Sequence, residues 1–429
     1  MNQNQRGVSR RQFLGTGLAA AAAITIIPRH VLGGNGFIAA SDQVVLGFIG
    51  TGKQARGLMG NFARRAKVIA GCDVYERKLA QFKYNTEQQY QRLNQSAEGF
   101  ISYKDFRELL NNKDIDAVVI ATPDHWHAIC VIEAAKAGKD VYCEKPYSHS
   151  INEGRLMAQA IDKYKRVNQT GNMQRSWKEF QTACNLVRNG YIGEVKEVKV
   201  DVGGPPKAFD LSPLPVPEGL NWDMWVGPAV FNGFHTELAP PLEFDGFPNW
   251  RNYKEYGNGM TADWGAHMFD IAQWGLGMDD SGPVAIYPPD ANHQFLTFEY
   301  ANGIKMTHER FGKGGGVRFI GTKGTVDVNR GKIESTPEEL INRTFTEKEK
   351  ITDVTDHYQN WIDCIRSRKQ PLCHAEIGHR TATICHLANI AYELKRPLKW
   401  DPKNEKFTND AEADKLTVGY LRAPWKLQI

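Results

Sequence analysis

The sequence predicts an α/β protein in which a doubly wound parallel sheet precedes a second α/β domain with a largely antiparallel sheet. Up to about residue 172, short apolar strands alternate with helical segments, which is the order of a parallel sheet covered by helices. Beyond that residue, several strands follow one another across short turns, as in antiparallel sheets. The length of 429 residues also exceeds one ordinary domain.

Residues 1–40 differ in composition from the rest of the chain. Arg10 and Arg11 stand before an apolar run at 18–27 that is short for a membrane span. This pattern resembles a twin-arginine signal, so we expect a periplasmic protein that is exported folded, with processing between His30 and Ser41. After processing we expect no membrane insertion. A chance pair of arginines before a short apolar helix is the alternative.

The charge and cysteine content exclude several classes of protein. Without residues 1–40 the chain loses four arginines and no acidic residue, which leaves 49 basic and 49 acidic residues. A neutral chain argues against nucleic acid or an anionic membrane as a partner. The seven cysteines are odd in number and include no Cys-x-x-Cys pair. We therefore expect buried thiols rather than a zinc site or a disulfide framework.

A glycine-rich turn follows the first strand. The strand Val44–Ile49 ends in Gly-Thr-Gly-Lys-Gln-Ala, and a helical stretch comes next. This is the Gly-x-Gly-x-x-Gly/Ala fingerprint of a dinucleotide-binding Rossmann fold. The first glycine makes the tight turn, and the second lets the backbone approach a pyrophosphate at the helix N-terminus. The candidate cofactor contacts in this turn are Gly50, Thr51, Gly52, Lys53 and Gln54.

A carboxylate ends the second strand. Asp73 follows Lys67–Cys72 and stands twenty-one residues after Gly52. At this place in a Rossmann fold a carboxylate binds the ribose hydroxyls of the adenosine and repels a 2′-phosphate. We therefore expect NAD as the cofactor in preference to NADP. The alternative is that Asp73 only forms a turn at the strand end.

Two later strands also end in polar motifs. Ile115–Ala121 is followed by Thr-Pro-Asp-His-Trp-His at 122–127, and Asp140–Cys143 is followed by Glu-Lys-Pro at 144–146. Ligands bind outside the carboxyl ends of the strands in an open α/β sheet. We therefore expect both motifs to face the same crevice as the glycine-rich turn.

The lysine of the second motif is the candidate for proton exchange with an alcohol. Lys145 is well placed for this beside a nicotinamide, although an ordinary surface lysine gives the same pattern. For His125 or His127, packing of a helix-start histidine against the loop is the more common role. The candidate cofactor contacts outside the glycine-rich turn and Asp73 are Thr122, Pro123, His127, Glu144, Lys145 and, just past residue 172, Gln174.

The stretch 257–270 contains Asp263 and His267, four residues apart. In a helix, this spacing places a carboxylate and an imidazole on one face, a turn apart, where together they handle a proton. An amphipathic helix with solvated polar side chains is the alternative. No further ligands stand at suitable spacing, so we expect no metal site.

The second half of the chain has more irregular composition. A strand at Val195–Val202 is followed by a passage rich in Pro, Gly and Trp at 203–250, and four more strands follow between 293 and 328. Short turns between these strands favour an antiparallel order. The last third contains two helices, near 356–368 and 377–395.

Four motifs together resemble the Gfo/Idh/MocA family of sugar and cyclitol oxidoreductases. They are the glycine-rich turn, Ala-Thr-Pro-Asp-His-Trp-His at 121–127, Glu-Lys-Pro at 144–146, and Gly-x-Gly…Asp-x-x-x-His at 257–267. Their order and spacing match over essentially the whole chain after residue 40. The segments 360–367 and 376–380 are similar to the long exported bacterial members.

The resemblance implies a Rossmann domain at 41–172 and a second α/β domain at 173–429, whose open, largely antiparallel sheet often serves oligomerisation. It implies that Lys145 lies at the nicotinamide and that Asp263 and His267 face it across the substrate. We expect hydride transfer to NAD from a carbon that bears a ring hydroxyl of a sugar, glycoside or cyclitol. The sequence leaves open whether Lys145 or His267 is the principal base.

Export shapes the remaining expectations. No recycling pool of NAD(H) is expected outside the cytoplasm, so the cofactor must stay bound. Redox-neutral glycoside processing through a transient keto-sugar is the alternative chemistry, and an NAD-dependent sensor without catalysis is the alternative class. Trp177 and Trp264 are candidates for stacking on the apolar face of the sugar. We expect a homo-oligomer, either a dimer or a tetramer.

Overall fold

The structure is a computed structural model that describes residues 43–96, 98–312 and 315–429. The predicted export signal at 1–40 lies outside the described residues. Val44–Ile429 forms one compact unit. Within the described part of the chain, every helix is too short or too polar to cross a membrane.

Six parallel strands form the first sheet, in the order β3-β2-β1-β4-β5-β6. The strands are β1 (Val45–Ile49), β2 (Lys67–Cys72), β3 (Ile101–Tyr103), β4 (Ala117–Ile120), β5 (Asp140–Cys143) and β6 (Asn168–Thr170). Every residue of β4 and β5 is buried, because helices cover both faces of a doubly wound sheet. The strand order reverses between β1 and β4, and this switch point is where such sheets bind ligands.

Helices connect the strands of the first sheet. They are α1 (Lys53–Phe62), α2 (Glu76–Arg92), α3 (Phe106–Asn111), α4 (His127–Lys136) and α5 (Ile151–Lys163). Two of them begin at side-chain caps: the carboxylate of Asp105 accepts a hydrogen bond from the backbone N–H of Arg107, and the hydroxyl of Ser150 accepts one from Glu153. Such caps satisfy N–H groups that the helix leaves unpaired.

Nine strands form the second sheet, in the order β13-β12-β11-β7-β10-β9-β8-β14-β15. The strands are β7 (Val195–Asp201), β8 (Ala285–Tyr287), β9 (Leu296–Glu299), β10 (Lys305–His308), β11 (Gly316–Gly321), β12 (Thr325–Asn329), β13 (Lys332–Thr336), β14 (Leu398–Asp401) and β15 (Lys406–Phe407). The sheet is open and largely antiparallel, as predicted. The exception is β10, which pairs with β7 in parallel.

The helices after residue 172 serve both sheets. They are α6 (Lys178–Arg188), α7 (Trp222–Val226), α8 (Gly259–Asp263), α9 (Gly265–Leu276), α10 (His357–Ser367), α11 (Ala375–Leu394) and α12 (Ala411–Leu416), and short 3-10 turns lie at Asp124–Trp126, Met173–Ser176, Asn249–Asn252 and Glu338–Asn342. α10 packs on the first sheet, where Trp361 lies 5.7 Å from Tyr142 of β5, measured between ring centroids. α11 places Ala382 in the core of the first sheet and Leu387 in that of the second. The two sheets therefore share their helical layer.

A long segment between β7 and α8, residues 203–258, runs across the carboxyl edge of the first sheet; we call it the covering segment. Its backbone joins the end of β2, since the N–H of Asn221 donates to the carbonyl of Val74 at 2.9 Å. The ammonium of Lys53, at the start of α1, pairs with Asp245 at 3.1 Å. The covering segment is thus attached directly above the predicted cofactor site.

Candidate active site

The glycine-rich turn has the geometry that its motif predicts. Gly50 has a φ of +81°, and a Cβ atom there would lie 2.8 Å from the backbone of Ala121 and Thr122. Only glycine tolerates this conformation and this approach between the ends of β1 and β4. A Cβ atom on Gly52 would meet no atom within 4 Å. The turn is therefore tight on the sheet side and open above the N-terminus of α1.

Asp73 holds this turn. One carboxylate oxygen accepts hydrogen bonds from the backbone N–H and the hydroxyl of Thr51, at 2.7 and 2.9 Å. The other oxygen accepts one from the N–H of Tyr75 at 2.9 Å. The alternative role of Asp73 as a turn former is therefore real, and it coexists with a position on the wall of the cavity described next.

A cavity of about 800 Å³ follows the carboxyl edge of the first sheet and extends to α8 and α9. Its volume lies in the range of cofactor and ligand sites. The predicted site residues that line it are Gly50, Gly52, Lys53, Gln54, Asp73, Thr122, Pro123, Glu144, Lys145, Asp263, Trp264 and His267. The hydroxyl of Thr122 is buried without a hydrogen-bond partner among the described residues. The open glycine turn, the helix N-terminus and this unpaired hydroxyl fit a bound dinucleotide.

His127, a candidate cofactor contact, has the packing role that we named as the more common one for a helix-start histidine. Its Nδ1 lies 2.8 Å from the carbonyl oxygen of Pro146 and its Nε2 lies 3.1 Å from that of Thr122. Burial lowers the pKa of His127 to about 4. The ring joins the two strand-end motifs and does not line the cavity. His125 is likewise bound between backbone carbonyls, of Trp225 and Tyr256.

Gln174 and Trp177 also lie behind the cavity wall. The side-chain N–H of Gln174 donates to the carbonyl of His267 at 3.4 Å, and its oxygen accepts from Nε of Arg330 at 2.9 Å. Trp177 packs against the core of the second sheet, and the guanidinium of Arg330 stands 5.4 Å from its ring centroid. The hydroxyl of Thr51 faces Asp73. Thr51, Gln174 and Trp177 do not line the cavity themselves, but each contacts a residue that does.

A charged cluster connects the two halves of the cavity. Lys145 follows β5, and its ammonium donates to a side-chain oxygen and to the backbone carbonyl of Asp263, both at 2.9 Å. Nε of Arg251, from the covering segment, lies 3.3 Å from the same carboxylate oxygen. Burial alone would raise the pKa of Asp263, but the two cations outweigh it and lower that pKa to about 2. Asp263 is therefore an anion at every physiological pH.

His267 adjoins this cluster as a neutral base. Burial lowers its pKa well below the ordinary value, and the positive charges of Lys145 and Arg330 lower it further. Its Nδ1 is buried without a hydrogen-bond partner in the described part of the chain. Because an imidazolium would leave that N–H unpaired, the neutral ring is favoured. A neutral imidazole in a cavity wall is able to accept a proton.

The helix that carries Asp263 and His267 differs from the predicted single helix. Asp263 ends α8, Trp264 separates the helices, and His267 lies in the first turn of α9. The backbone N–H of His267 donates to the carbonyl of Trp264 at 2.9 Å, which is a tighter turn than an α-helix makes. The side chains of Asp263 and His267 still line the cavity. Trp264 is 40% exposed at the mouth of the cavity.

Three functional candidates were missed in the sequence. Arg251 stacks on Trp250 at 4.3 Å and binds Asp263. Asp124 lies within a motif that we singled out, and burial raises its pKa to about 8 although the charge of Arg251 opposes the shift. Arg330 lies in the turn between β12 and β13 and lines the cavity. Of these three residues, only Asp124 could have been identified from the sequence, because it lies within a strand-end motif. The two arginines reach the site only when distant segments of the chain fold together.

Carboxylates other than Asp263 surround Lys145. Burial raises the pKa of Glu144, whose Oε1 accepts a hydrogen bond from the side-chain amide of Gln54 at 2.9 Å. In the residues that the structure describes, no group of three or more His, Cys, Asp or Glu side chains is arranged to hold a metal ion. All seven cysteines are buried.

Known proteins are similar to this chain in sequence or in fold. The uncharacterized oxidoreductase YrbE of Bacillus subtilis is 23% identical over 384 residues, which are 83% of this chain and 97% of that protein. A glycosyl hydrolase family 109 protein of Shewanella pealeana is 29% identical over 44% of each chain. The crystal structure of an aldose-aldose oxidoreductase of Caulobacter crescentus, complexed with glycerol, has a TM-score of 0.58 at 19% identity and covers 83% of this chain and 99% of its own. This last likeness shows the fold.

Two sequence models of one family cover nearly all of the chain after the predicted signal. Residues 44–172 match the oxidoreductase family's NAD-binding Rossmann fold, and residues 206–427 match its C-terminal alpha/beta domain. The predicted resemblance is thereby confirmed. The chain belongs to the Gfo/Idh/MocA oxidoreductase family.

Proposed function

We propose that this protein oxidises a ring hydroxyl of a sugar, glycoside or cyclitol with a tightly bound NAD, and that His267 accepts the hydroxyl proton. One observation carries the proposal. Lys145, Asp263 and His267 come from both halves of the fold and line the same cavity as the open glycine-rich turn. A hydride acceptor and a proton acceptor are thereby brought to one substrate.

The chain's own residues do the proton chemistry. The nicotinamide, when bound, supplies the site that takes the hydride. His267 is neutral for the reasons given above, so it receives the hydroxyl proton without first having to lose one. The ammonium of Lys145 stabilises the negative charge that develops on the substrate oxygen.

Asp263 positions Lys145. Its carboxylate and its backbone carbonyl both accept hydrogen bonds from the ammonium, which restricts the lysine to one direction. Arg251 shares the carboxylate and keeps Asp263 ionised. The group that binds the substrate oxygen is thus held in place before the substrate arrives, which is how preorganised sites lower a barrier.

We further propose that NAD stays bound between turnovers. The covering segment supports this, since it is tied to the end of β2 through Asn221 and to α1 through Asp245. A second carbonyl compound would then take the hydride back. The name of the aldose-aldose oxidoreductase of Caulobacter crescentus is in line with such an exchange.

A second candidate function is redox-neutral processing of a glycoside, in which a transient keto-sugar permits elimination and the hydride then returns. It is supported by the name of the relative in Shewanella pealeana. The sequence of residues 262–267 argues against this second function. Family members that cleave glycosides carry a more histidine-rich segment there, whereas this chain has Ala-Asp-Trp-Gly-Ala-His. The same three site residues would form the keto-sugar.

The preference for NAD, the export and the oligomer are part of the proposal. Asp73 lines the cavity beside the glycine-rich turn, where its charge disfavours a 2′-phosphate. The pattern at residues 1–40 supports export as a folded periplasmic protein, and the open second sheet supports a homo-oligomer. Fractionation of the native host tests the export, and light scattering of the purified protein tests the oligomer.

The function is tested on the purified full-length protein. Its absorbance in the reduced-nicotinamide band is recorded before and after addition of sugars and methyl glycosides, and products are identified by mass spectrometry. Net oxidised product supports the first proposal, and cleaved glycoside without net redox change supports the second. If no dinucleotide is bound, none can be loaded and no sugar changes the spectrum, both enzyme proposals and the NAD-dependent sensor are wrong. If NAD is bound but no sugar or glycoside is converted, the sensor remains.

Variants connect the activity to the cavity. We expect Lys145→Met and His267→Asn each to lower turnover by at least about a thousandfold while NAD stays bound, because the first removes the stabilising charge and the second removes the proton acceptor. Lys196→Met, on the exposed ion pair with Glu194, is the matched control and should keep full activity. Retained turnover in the His267 variant would assign the base elsewhere.

A further inference from the structure

The turn between β12 and β13 brings a cation to the mouth of the cavity. Arg330 and Gly331 form this two-residue turn, because Asn329 and Lys332 are partners in the ladder. Gly331 has a φ of +69°, and its N–H donates to the carboxylate of Glu179 at 2.9 Å. The turn is thus fixed on α6, and Arg330 is exposed and lines the cavity.

The guanidinium of Arg330 is held in one orientation. The Cζ atom of Arg330 lies 4.7 Å from the ring centroid of Trp264 and 5.4 Å from that of Trp177. Its Nε donates to the side-chain oxygen of Gln174 at 2.9 Å. Stacking and one hydrogen bond together remove most of the freedom of a long side chain, so little entropy remains to be lost on binding a ligand.

The two terminal amino groups of Arg330 remain available. Among the described residues, no carboxylate forms an ion pair with Arg330 and neither amino group has a hydrogen-bond partner. Arg251, the other arginine of the cavity, differs in this respect because Asp263 and the carbonyl of Pro248 accept its hydrogen bonds. Arg330 is therefore an oriented cation that lacks an anion.

The charged groups around Arg330 have an excess of positive charge. Asp263 is already shared between Lys145 and Arg251, and the pKa of Asp124 is raised by burial to about 8, so that this acid is largely protonated at neutral pH. Arg330 acts electrostatically on His267 and Asp263, which places it beside the reacting part of the cavity and not at the glycine-rich turn.

We propose that Arg330 binds a carboxylate of the substrate, so that the substrate is a sugar acid such as a hexuronate. The planar fork of a guanidinium matches a carboxylate with two parallel hydrogen bonds. The exposed ring of Trp264 lies next to it for the apolar face of the sugar ring. This inference rests on the proposed function, since it names the substrate class of the same site.

The experiment compares matched pairs of ligands, D-glucuronate with D-glucose and D-galacturonate with D-galactose, on the NAD-loaded full-length protein. Binding is measured by titration calorimetry, and hydride transfer by absorbance. We expect the uronate of each pair to bind and react at least about tenfold better than the neutral sugar, because one oriented ion pair contributes at least this factor. Equal or better binding of the neutral sugars overturns the inference.

Variants then test Arg330 itself. Arg330→Met should lower the affinity for the uronates by about 30- to 100-fold and change the affinity for the neutral sugars less than about threefold. Because Arg330 also lowers the pKa of His267, kcat should change by the same factor for both ligand classes. Arg330→Lys, which keeps the charge and loses the fork, should fall between. Arg343→Met is the matched control, because this arginine also stacks on an aromatic ring, that of Tyr191, outside the cavity. An equal loss of affinity for both ligand classes in Arg330→Met assigns the residue a structural role and overturns the inference.

The two proposals fail in different ways. If neutral sugars are oxidised and uronates neither bind nor react, the carboxylate site is refuted and the oxidoreductase function stands. If uronates bind through Arg330 and no sugar reduces the cofactor, the carboxylate site stands and the oxidoreductase function is refuted.

Discussion

The charge of Asp263 should contribute measurably to stability. Its pKa falls from an ordinary 3.8 to about 2, because Lys145 and Arg251 together outweigh the effect of burial. A difference of almost two pH units corresponds to about 2.5 kcal/mol of preference for the ionised form in the folded state. Since asparagine resembles the protonated acid, Asp263→Asn should lower the free energy of unfolding at pH 7 by about 2.5 kcal/mol.

The stabilisation by Asp263 should depend on pH, and the lowered pKa determines in which direction. A depressed carboxylate pKa stabilises the fold fully above the unfolded pKa of 3.8, and this stabilisation is lost as the pH falls through 2. The difference between wild type and Asp263→Asn should therefore be constant from pH 7 to 5 and shrink to about half, roughly 1.3 kcal/mol, at pH 3.

Urea denaturation at pH 7, 5, 4 and 3, at fixed cofactor saturation, measures this difference. Asp245→Asn is the control, because that carboxylate pairs with Lys53 at a fully exposed position and surface pairs contribute little. A variant as stable as wild type at pH 7, or a difference that does not change down to pH 3, would refute the electrostatic account of the Lys145–Asp263–Arg251 cluster.

Three further predictions concern the cofactor half of the cavity. Asp73→Ala should weaken NAD binding and relax the exclusion of NADP, and fluorescence titration with each dinucleotide measures this. An unchanged preference for NAD over NADP counts against the ribose role. Equal loss of affinity for the two dinucleotides reflects the missing hydrogen bonds to Thr51. Gly50→Ala should destabilise the protein by at least about 1 kcal/mol, because φ is +81° and the new Cβ meets Ala121; denaturation at pH 7 checks it. Asp124→Asn should change stability little below pH 4 and raise it progressively between pH 4 and pH 8, because over this range the carboxyl ionises in the unfolded state but resists ionisation in the folded state, where burial raises its pKa to about 8; equal stability at pH 8 would contradict this.

The parallel sheet was predictable because its signals are local. Ala117–Ile120 is a buried strand in the structure and lies within the predicted strand Ile115–Ala121, since a strand covered on both faces is apolar over nearly its whole length. The glycine-rich turn is equally local, and the φ of Gly50 explains its composition. The strand-end rule then assembled most of the cofactor wall without any knowledge of long-range contacts.

What the sequence left out depends on contacts between distant segments. Arg251 and Arg330 each reach the cavity because a segment far along the chain folds onto it, and no periodicity reports such contacts. The helix predicted near 356–368 is present as α10, but the sequence did not indicate that Trp361 packs on the first sheet. The break at Trp264 also escaped the prediction, because the spacing of Asp263 and His267 suits a continuous helix equally well.

The ion pair between Lys145 and Asp263 joins the two halves of the site, and stability alone does not explain it. Removing charges from water is costly, and apolar residues of similar size often stabilise a protein as well as a buried ion pair does. The arrangement does provide two groups of opposite character in one cavity: an ammonium held by a carboxylate, and an imidazole that burial and nearby cations keep neutral. Environments that separate the protonation states of neighbouring groups are how enzymes obtain an electrostatic stabiliser and a base at one pH. The proposed proton transfer from an alcohol would use both groups, and this use would account for the charges that are buried where the two halves meet.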